Sequence, residues 1–238
     1  MNCYYFPMGG HGDIIYSIPS TKILGDGIYW FDGEFGPNII DNIGPLLLEQ
    51  PHVKGVKHGP VDSTQFDGIF YDMTHFWRQP DLGKVLLPIN MARSLHIPNF
   101  VLEYPFLTIS NTVRRIDNPY VIIGRTPRYR DPHFNWIPII NDIVENTSYE
   151  IYFNGYQEEY DDFVNQHGFR EHISRLECNN FLDIAEYVCG AEAIYCNQTS
   201  LVTVAQGLGK KYFLEKAPGH LNCIWNIPAE TVMNPHCR

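Results

Sequence analysis

The chain has little positive charge and no long apolar run, and both shortages limit its function. Its 238 residues carry 17 lysines and arginines against 27 aspartates and glutamates, giving a net charge of −10. An extended nucleic-acid surface needs a basic face, so we expect none. No apolar stretch approaches the length of a membrane span, so we expect no transmembrane segment. The length suits one large or two small globular domains.

Paired cysteines and several well-known catalytic or metal-binding motifs are also missing. The six cysteines show no CxxC spacing and no signal peptide precedes them, so we expect reduced thiols in a cytoplasmic protein. There is no HExxH motif, no Cys/His cluster and no DxD-type carboxylate pair at a strand end, so we expect no metal and no cofactor. A G-x-S-x-G elbow and a Walker A loop are absent as well.

Strand-like and helix-like segments alternate along the chain, which predicts βαβ units and parallel sheets. Strands are predicted at 3–8, 27–31, 53–56, 68–71, 120–123, 149–153 and 191–195. Helices are predicted at 14–24, 39–48, 90–96, 136–144, 158–166, 182–189 and 201–208. The polar segment TVRRIDNP at 112–119 predicts a boundary between α/β domains at 1–115 and 116–238. Such halves bind ligands at the carboxyl ends of strands and in the crevice between them.

The first candidate site is the loop Gly9, Gly10, His11, Gly12 and Asp13, between the first strand and the first helix. Its glycines allow a tight turn and close approach of a substrate to the main chain. The spacing is not GxGxxG, which argues against a dinucleotide site. Asp13 stands near a helix N-terminus, where an ionised carboxylate is favoured and can act as a general base toward a hydroxyl. Alternatively, Asp13 only caps the helix. His11 either shares its role or is simply exposed.

The second candidate is the arginine loop, residues 125–130, which follows the predicted strand at 120–123. Arg125, Arg128 and Arg130 concentrate positive charge in an acidic protein, and guanidinium groups bind phosphate in a bidentate manner. The alternative is a solvated loop that pairs with nearby acids, namely Asp131, Asp161 or Asp162.

The third candidate is the polar turn Asn197, Gln198, Thr199 and Ser200, which joins the predicted strand at 191–195 to a helix. A helix N-terminus offers free backbone N–H groups and the positive end of the helix dipole, which suits a phosphate or pyrophosphate. Alternatively, Thr199 or Ser200 is only a helix cap.

In their order along the chain, these features resemble glycosyltransferase family 9, the bacterial heptosyltransferases of lipopolysaccharide core assembly. The likeness begins with GDIIYSIPSTKIL at 12–24, a Gly-Asp-hydrophobic run with a proline inside the first helix. It continues with PLLLEQPHVKGVKH at 45–58, FDGIFYD at 66–72 and MARSLHIP at 91–98. RTPRYRDPHFNW at 125–136 falls where the family has a basic loop before a Lys-x-Trp element, and YEIYFNG at 149–155 is similar to the strand and glycine that follow.

The resemblance implies a GT-B fold, in which two Rossmann-like domains face each other across a cleft. It implies transfer of a sugar from a nucleotide-diphospho-sugar to a glycan or other hydroxyl acceptor, without a metal and with inversion. Asp13 aligns with the catalytic base, and the loop Gly9 to Gly12 lies on the acceptor side. Thr199 aligns with the Ser/Thr that holds the donor pyrophosphate. The implied donor-binding residues are Arg125, Arg128, Arg130, Asn197, Gln198, Thr199, Ser200 and Thr203.

The chain departs from the family at several of these positions. Gln198 stands where the family has Asp, Ser200 where it has Gly, Thr203 where it has His, and Phe134 where it has the Lys of Lys-x-Trp. Two alternatives therefore stay open. One is a catalytically silent module that binds a nucleotide or a sugar. The other is a GT-B-like enzyme of another class, such as a sugar-nucleotide epimerase, which needs more acid/base residues than the sequence offers.

Overall fold

The structure is a computed structural model that describes residues 1–63, 66–110, 116–220 and 223, and the backbone of a strand at Glu230–Met233. The first half contains a four-stranded parallel sheet in the order β3-β2-β1-β4. Its strands are β1 (Asn2–Phe6), β2 (Gly27–Phe31), β3 (Val53–His58) and β4 (Phe70–Asp72). Its helices are α1 (His11–Leu24), α2 (Ile39–Leu48) and α3 (Leu87–Ser94), with a 3₁₀ turn at His75–Arg78.

The second half contains a six-stranded parallel sheet in the order β10-β9-β8-β5-β6-β7. Its strands are β5 (Tyr120–Gly124), β6 (Glu150–Phe153), β7 (Ile173–Arg175), β8 (Ala193–Cys196), β9 (Tyr212–Glu215) and β10 (Glu230–Met233). Its helices are α4 (Ile137–Asn146), α5 (Gln157–His167), α6 (Phe181–Gly190) and α7 (Ser200–Gly207), with a 3₁₀ turn at Pro127–Tyr129.

Both sheets follow the doubly wound strand order of a Rossmann domain. Numbered from β5, the second sheet runs 6-5-4-1-2-3, and the first sheet has the first four strands of the same order. The predicted α/β class with parallel sheets is therefore confirmed. The strand order reverses between β1 and β4 in one sheet and between β5 and β8 in the other. Ligands of such sheets bind at these reversal points, outside the carboxyl ends of the strands.

The predicted elements differ from the observed ones mainly at short strands. The strand predicted at 3–8 ends at Phe6 because Pro7 has no N–H for the sheet. The strand predicted at 191–195 begins at Ala193, since Ala191 is still the C-cap of α6. Three short strands, β7, β9 and β10, were not predicted. The predicted boundary at 112–119 lies partly outside the described residues, which omit 111–115.

One hydrophobic core joins the two halves. Helix α1 packs on α7 and α2 packs on α6, and a single cluster of buried side chains includes Ile14 and Ile18 of α1 with Leu201 and Val204 of α7. The backbone N–H groups of Phe106 and Leu107 both donate to the carbonyl of Gly207 at 2.9 Å, which fixes the connecting segment against the end of α7. No helix in the described part of the chain is long and apolar enough to cross a membrane.

Candidate functional site

The three predicted loops all follow strands at the reversal points of the two sheets. The loop Gly9 to Asp13 follows β1, the arginine loop follows β5, and the polar turn 197–200 follows β8. Because β5 and β8 are neighbours in one sheet, the arginine loop and the polar turn meet at its carboxyl edge. The first loop belongs to the other sheet, so the contacts of α1 with α7 decide whether it joins them.

The first turns of α1 and α7 lie against each other. A Cβ atom built on Gly12 would lie 3.3 Å from Oγ1 of Thr203 and 3.9 Å from Cα of Ser200. One turn further along, Tyr16 donates a 2.5 Å hydrogen bond to Gln206 Oε1. Two helix N-termini, each with a positive dipole end, therefore converge beside Asp13.

Asp13 combines a capping contact with an environment that raises its pKa. Its Oδ2 accepts a 2.8 Å hydrogen bond from the backbone N–H of Gly10, the N-cap of α1. Burial raises the pKa of the carboxyl to about 6, against the opposing effects of the Gly10 hydrogen bond and the positive charge of Arg128. A carboxylate with a pKa near neutrality is suited to general base catalysis. Asp13 is thus a cap whose protonation changes close to neutral pH.

His11 makes contacts that join elements of both halves. Its ring stacks on Phe181 at the start of α6, with ring centroids 4.8 Å apart. Its Nε2 lies 3.2 Å from Nδ2 of Asn42 in α2. Burial lowers the pKa of His11, so the ring is neutral at physiological pH. His11, the first residue of α1, is therefore held against α2 and α6, and a share in the role of Asp13 stays a prediction.

The three arginines of the arginine loop have different surroundings. Arg125 is buried and forms an ion pair with Glu215, with Nε 2.7 Å from Oε2 and Nη2 3.1 Å from Oε1. Arg128 is exposed, and its guanidinium lies 4.9 Å from the centre of the Tyr129 ring. Arg130 is exposed and 3.9 Å from Asp162, an acid that the sequence offered as a partner. The charge of Arg128 is therefore available to a ligand, the charge of Arg130 is shared with the exposed Asp162, and the charge of Arg125 is neutralised inside the fold.

The polar turn contains both structural and solvent-accessible groups. Asn197 is fully buried, and its Nδ2 donates to the carbonyl oxygens of Thr126 and Tyr129 at 2.7 and 2.9 Å. Thr199 caps α7, with Oγ1 accepting from the N–H of Leu201 at 3.2 Å. Gln198 is buried and Ser200 is half-buried. The capping alternative for Thr199 is thus observed, and it leaves the dipole of α7 in place for an anion.

Sequence reasoning missed Glu215, which is fully buried at the end of β9. Its carboxylate accepts hydrogen bonds from Arg125, from the N–H of Asp131 at 2.8 Å and from Trp136 Nε1 at 2.8 Å. The sequence does contain one indication of this residue, because Glu215 directly follows the apolar run YFL at 212–214. Strand β9, which this run forms, was not predicted. Elsewhere in the described residues, no group of three or more His, Cys, Asp or Glu side chains is placed to hold a metal ion.

Comparison with known proteins agrees on the architecture. The sequence matches no protein-family model, and no curated protein sequence matches it. Solved structures do match over nearly the whole chain. The dodecameric iron-containing heptosyltransferase TibC of enterotoxigenic E. coli, in complex with ADP-D-beta-D-heptose, superimposes with a TM-score of 0.70 at 15% identity over 99% of this chain. A family 9 glycosyltransferase of Veillonella parvula gives 0.68 at 12% identity over 98% of this chain and 85% of its own.

A third similar structure, the E. coli ADP-heptose lps heptosyltransferase II, gives a TM-score of 0.62 at 12% identity over 98% of this chain and 90% of its own. The chain has the fold of the family 9 glycosyltransferases. The resemblance drawn from the sequence is thus confirmed for the architecture. The chain spans 63% of the length of TibC.

Proposed function

We propose that the chain is a glycosyltransferase that moves a sugar from a nucleotide-diphospho-sugar to a hydroxyl acceptor. The observation that carries the proposal is the position of Asp13 where two helix N-termini converge. Burial raises the pKa of this carboxylate to about 6, and the positive charge of Arg128 opposes that rise. The fold supports it, since the structural neighbours are glycosyltransferases and one of them holds ADP-heptose. The two sheets then face each other across a cleft, with acceptor residues in the first half and donor residues in the second.

Each part of the site has a role in a single displacement. The acceptor hydroxyl attacks the anomeric carbon of the donor sugar from the side opposite the diphosphate, which inverts that centre. Asp13 takes the hydroxyl proton as the new bond forms. The bond to the diphosphate breaks, and Arg128, Arg130 and the N-terminus of α7 stabilise the developing negative charge. These groups supply the positive charge for the leaving group, and we propose that the reaction needs no metal.

A second candidate function is a binding module without catalysis, and the polar turn favours it. Gln198 and Ser200 of the turn and Thr203 of α7 can form hydrogen bonds but carry no charge, so this part of the site lacks the acid and the histidine of the family. Such a site still binds a diphosphate through backbone N–H groups and arginines. The two functions share the donor site and differ only in whether Asp13 removes a proton.

Two experiments in sequence test these functions. A thermal-shift screen against ADP-, GDP-, UDP- and CMP-sugars, with and without EDTA, is expected to show stabilisation by one nucleotide class that EDTA does not abolish. If no nucleotide stabilises the protein, both functions are rejected. Turnover with the bound donor is then compared between wild type and Asp13→Asn, with Asp41→Asn in the first turn of α2 as the matched control. Loss in Asp13→Asn alone supports the transferase, and binding without turnover in wild type supports the silent module.

A further inference from the structure

We infer that Glu215 and Asn197 are positioning residues that hold the arginine loop in one shape and so present Arg128 and Arg130 to an anion. The role of Arg128 and Arg130 in binding an anion rests on the proposed function, because it assumes that the arginine loop contacts a diphosphate. The rigidity of the loop is a separate property that can be measured without any nucleotide. The two residues come from different strand ends, β9 and β8, and neither lies in the loop itself.

Glu215 ties together the two ends of the loop. Its Oε2 accepts from Arg125 Nε at 2.7 Å and from Trp136 Nε1 at 2.8 Å. Its Oε1 accepts from Arg125 Nη2 at 3.1 Å and from the backbone N–H of Asp131 at 2.8 Å. Arg125 begins the loop, whereas Asp131 and Trp136 follow it. One fully buried carboxylate therefore fixes the chain on both sides of the exposed arginines.

Asn197 holds the middle of the loop. Its Nδ2 donates to the carbonyl oxygens of Thr126 and Tyr129, and its Oδ1 accepts from the N–H of Thr126 at 3.1 Å. Both ends of the amide are used, and the side chain is fully buried. The 3₁₀ turn Pro127–Tyr129 lies between these anchor points. The backbone that carries Arg128 is therefore held directly before the turn, at Thr126, and at its last residue, Tyr129.

This arrangement gives the three arginines two kinds of role. We call Glu215, Asn197 and Arg125 together the frame of the loop. Arg125 belongs to this frame because its charge is paired with Glu215 inside the protein. Arg128 and Arg130 lie between the anchor points with exposed side chains, and the charge of Arg128 reaches Asp13. A loop that is already ordered loses less conformational freedom when it binds a ligand, so its cations bind more tightly. Buried carboxylates are costly unless hydrogen bonds satisfy them, and Glu215 accepts from Arg125, Asp131 and Trp136.

Limited digestion with trypsin tests the rigidity of the loop directly, because trypsin cleaves after Arg128 and after Arg130. Cleavage of a folded protein follows the population of locally opened states. We expect Glu215→Gln and Asn197→Ala to increase cleavage at these two bonds about tenfold over wild type, while cleavage after the exposed Arg170 changes less than about twofold. Mass spectrometry of the fragments measures each bond separately. Asn38→Ala, at an exposed asparagine before α2 whose side chain makes no capping hydrogen bond, is the matched control.

Asn197→Ala keeps the test valid if Glu215→Gln does not fold. Glu215→Gln leaves Arg125 charged and buried, and circular dichroism shows whether that variant is folded. Asn197→Ala changes no charge. A purely structural role of Asn197 and Glu215 predicts equal increases in cleavage after Arg128, Arg130 and Arg170, and that result overturns the inference. Unchanged cleavage at Arg128 and Arg130 overturns it as well.

Binding of ADP separates the inference from the proposed function. By calorimetry, Asn197→Ala is expected to bind ADP about tenfold more weakly than wild type, and Asn38→Ala about equally to wild type. In turnover assays Asn197→Ala is expected to raise KM for the donor and to move the acidic pH midpoint of kcat upward, because a loosened loop holds the charge of Arg128 less firmly near Asp13. If wild type binds none of ADP, GDP, UDP and CMP while the loop is locally loosened by Asn197→Ala, the frame stands and the proposed function fails. If wild type binds ADP and Asn197→Ala binds it with equal affinity although its loop is loosened, the presentation of Arg128 and Arg130 to an anion is rejected.

Discussion

Tyr16 of α1 donates a 2.5 Å hydrogen bond to Gln206 Oε1 of α7, and both side chains are buried between the two halves of the chain. Nε2 of Gln206 donates in turn to the Tyr212 hydroxyl at 3.0 Å and to the carbonyl of Cys223 at 2.9 Å. The polar network lies within the hydrophobic cluster that both halves share. The helix that carries Asp13 is therefore fixed to the helix that begins at the polar turn.

Removal of the Tyr16 hydroxyl should destabilise the whole chain rather than one half. Tyr16→Phe leaves the Gln206 oxygen buried without this donor, so we expect the free energy of unfolding to fall by about 1–3 kcal/mol. Urea denaturation followed by circular dichroism and by tryptophan fluorescence measures it. Because the core is shared, both signals should change in one transition. Tyr149→Phe, at an exposed ring, is the control. Two separate transitions would contradict the shared core.

Asp13→Asn should make the protein more stable at neutral pH. The folded state raises the pKa of Asp13 from 3.8 to about 6, so ionised Asp13 is favoured more in the unfolded chain. The stabilising contribution of the protonated group is complete below about pH 3.8 and is lost as the pH rises through about 6. After allowance for solvent at this half-buried group, we expect Asp13→Asn to exceed wild type by about 1 kcal/mol at pH 8.

Urea denaturation of wild type and Asp13→Asn at pH 4 and pH 8 checks this expectation. The difference in free energy of unfolding should nearly vanish at pH 4, where Asp13 is protonated in the folded protein. A difference that is the same at both pH values would show that burial of the Asp13 charge is not its source. Loss of turnover together with a gain in stability is the pattern expected when a charged group is kept for function.

His52 should change the stability of the protein with pH in the direction opposite to Asp13, over an overlapping pH range. Its Nε2 lies 2.9 Å from Oγ1 of Thr21, and burial lowers its pKa from 6.5 to about 4. The unfolded chain therefore binds a proton more readily, and stability is lost as the pH falls from about 6.5 to about 4. The full effect is about 3 kcal/mol. His52→Gln should remove this part of the pH dependence.

The stability of the wild type alone cannot separate the two groups. As the pH falls, the contribution of Asp13 to the free energy of unfolding increases and that of His52 decreases. The measurement is therefore the difference between each variant and wild type, from urea denaturation at several pH values between 4 and 8. The difference for His52→Gln should become more favourable to the variant as the pH falls, and the difference for Asp13→Asn less favourable. A parallel rise in both differences as the pH falls would contradict the raised pKa of Asp13, and a parallel decrease would contradict the lowered pKa of His52.

The fold was predictable from the sequence where apolar periodicity and turn residues agree. The contacts by which Glu215 and Asn197 hold the arginine loop were not predictable from it. Strands β1 and β5 and helices α1 and α7 follow from runs of buried residues next to glycines and polar caps. Proximity in space was the missing information. The pattern YFLE does not show that Glu215 lies beside Arg125, because the two are 90 residues apart and meet only after β9 joins the sheet.

The same limit explains why the three arginines looked equivalent in sequence. Spacing places Arg125, Arg128 and Arg130 in one loop after a strand, but burial depends on which side chain faces the neighbouring strand ends. Arg125 directly follows β5 and turns to Glu215, whereas Arg128 and Arg130 lie further out and are exposed. The polar turn was predictable as a helix N-terminus, and its use of Asn197 to hold another loop was not.

Arg128→Gln should change both ligand binding and the titration of Asp13. Loss of an exposed guanidinium at a diphosphate site is expected to weaken ADP binding about tenfold. The charge of Arg128 lowers the pKa of Asp13, so its removal should shift the acidic midpoint of kcat to higher pH. Arg170→Gln, at an exposed arginine that pairs with Asp161, is the control.

The pair of readouts separates the possible roles of Arg128. If ADP binding weakens and the pH midpoint rises, Arg128 acts on the donor and on the base, as the geometry implies. If the midpoint rises and ADP binding is unchanged, Arg128 tunes Asp13 and the diphosphate lies closer to Arg130 and α7. Since the structure places Arg128 in electrostatic contact with Asp13, an unchanged midpoint is the result that conflicts with Asp13 as the general base.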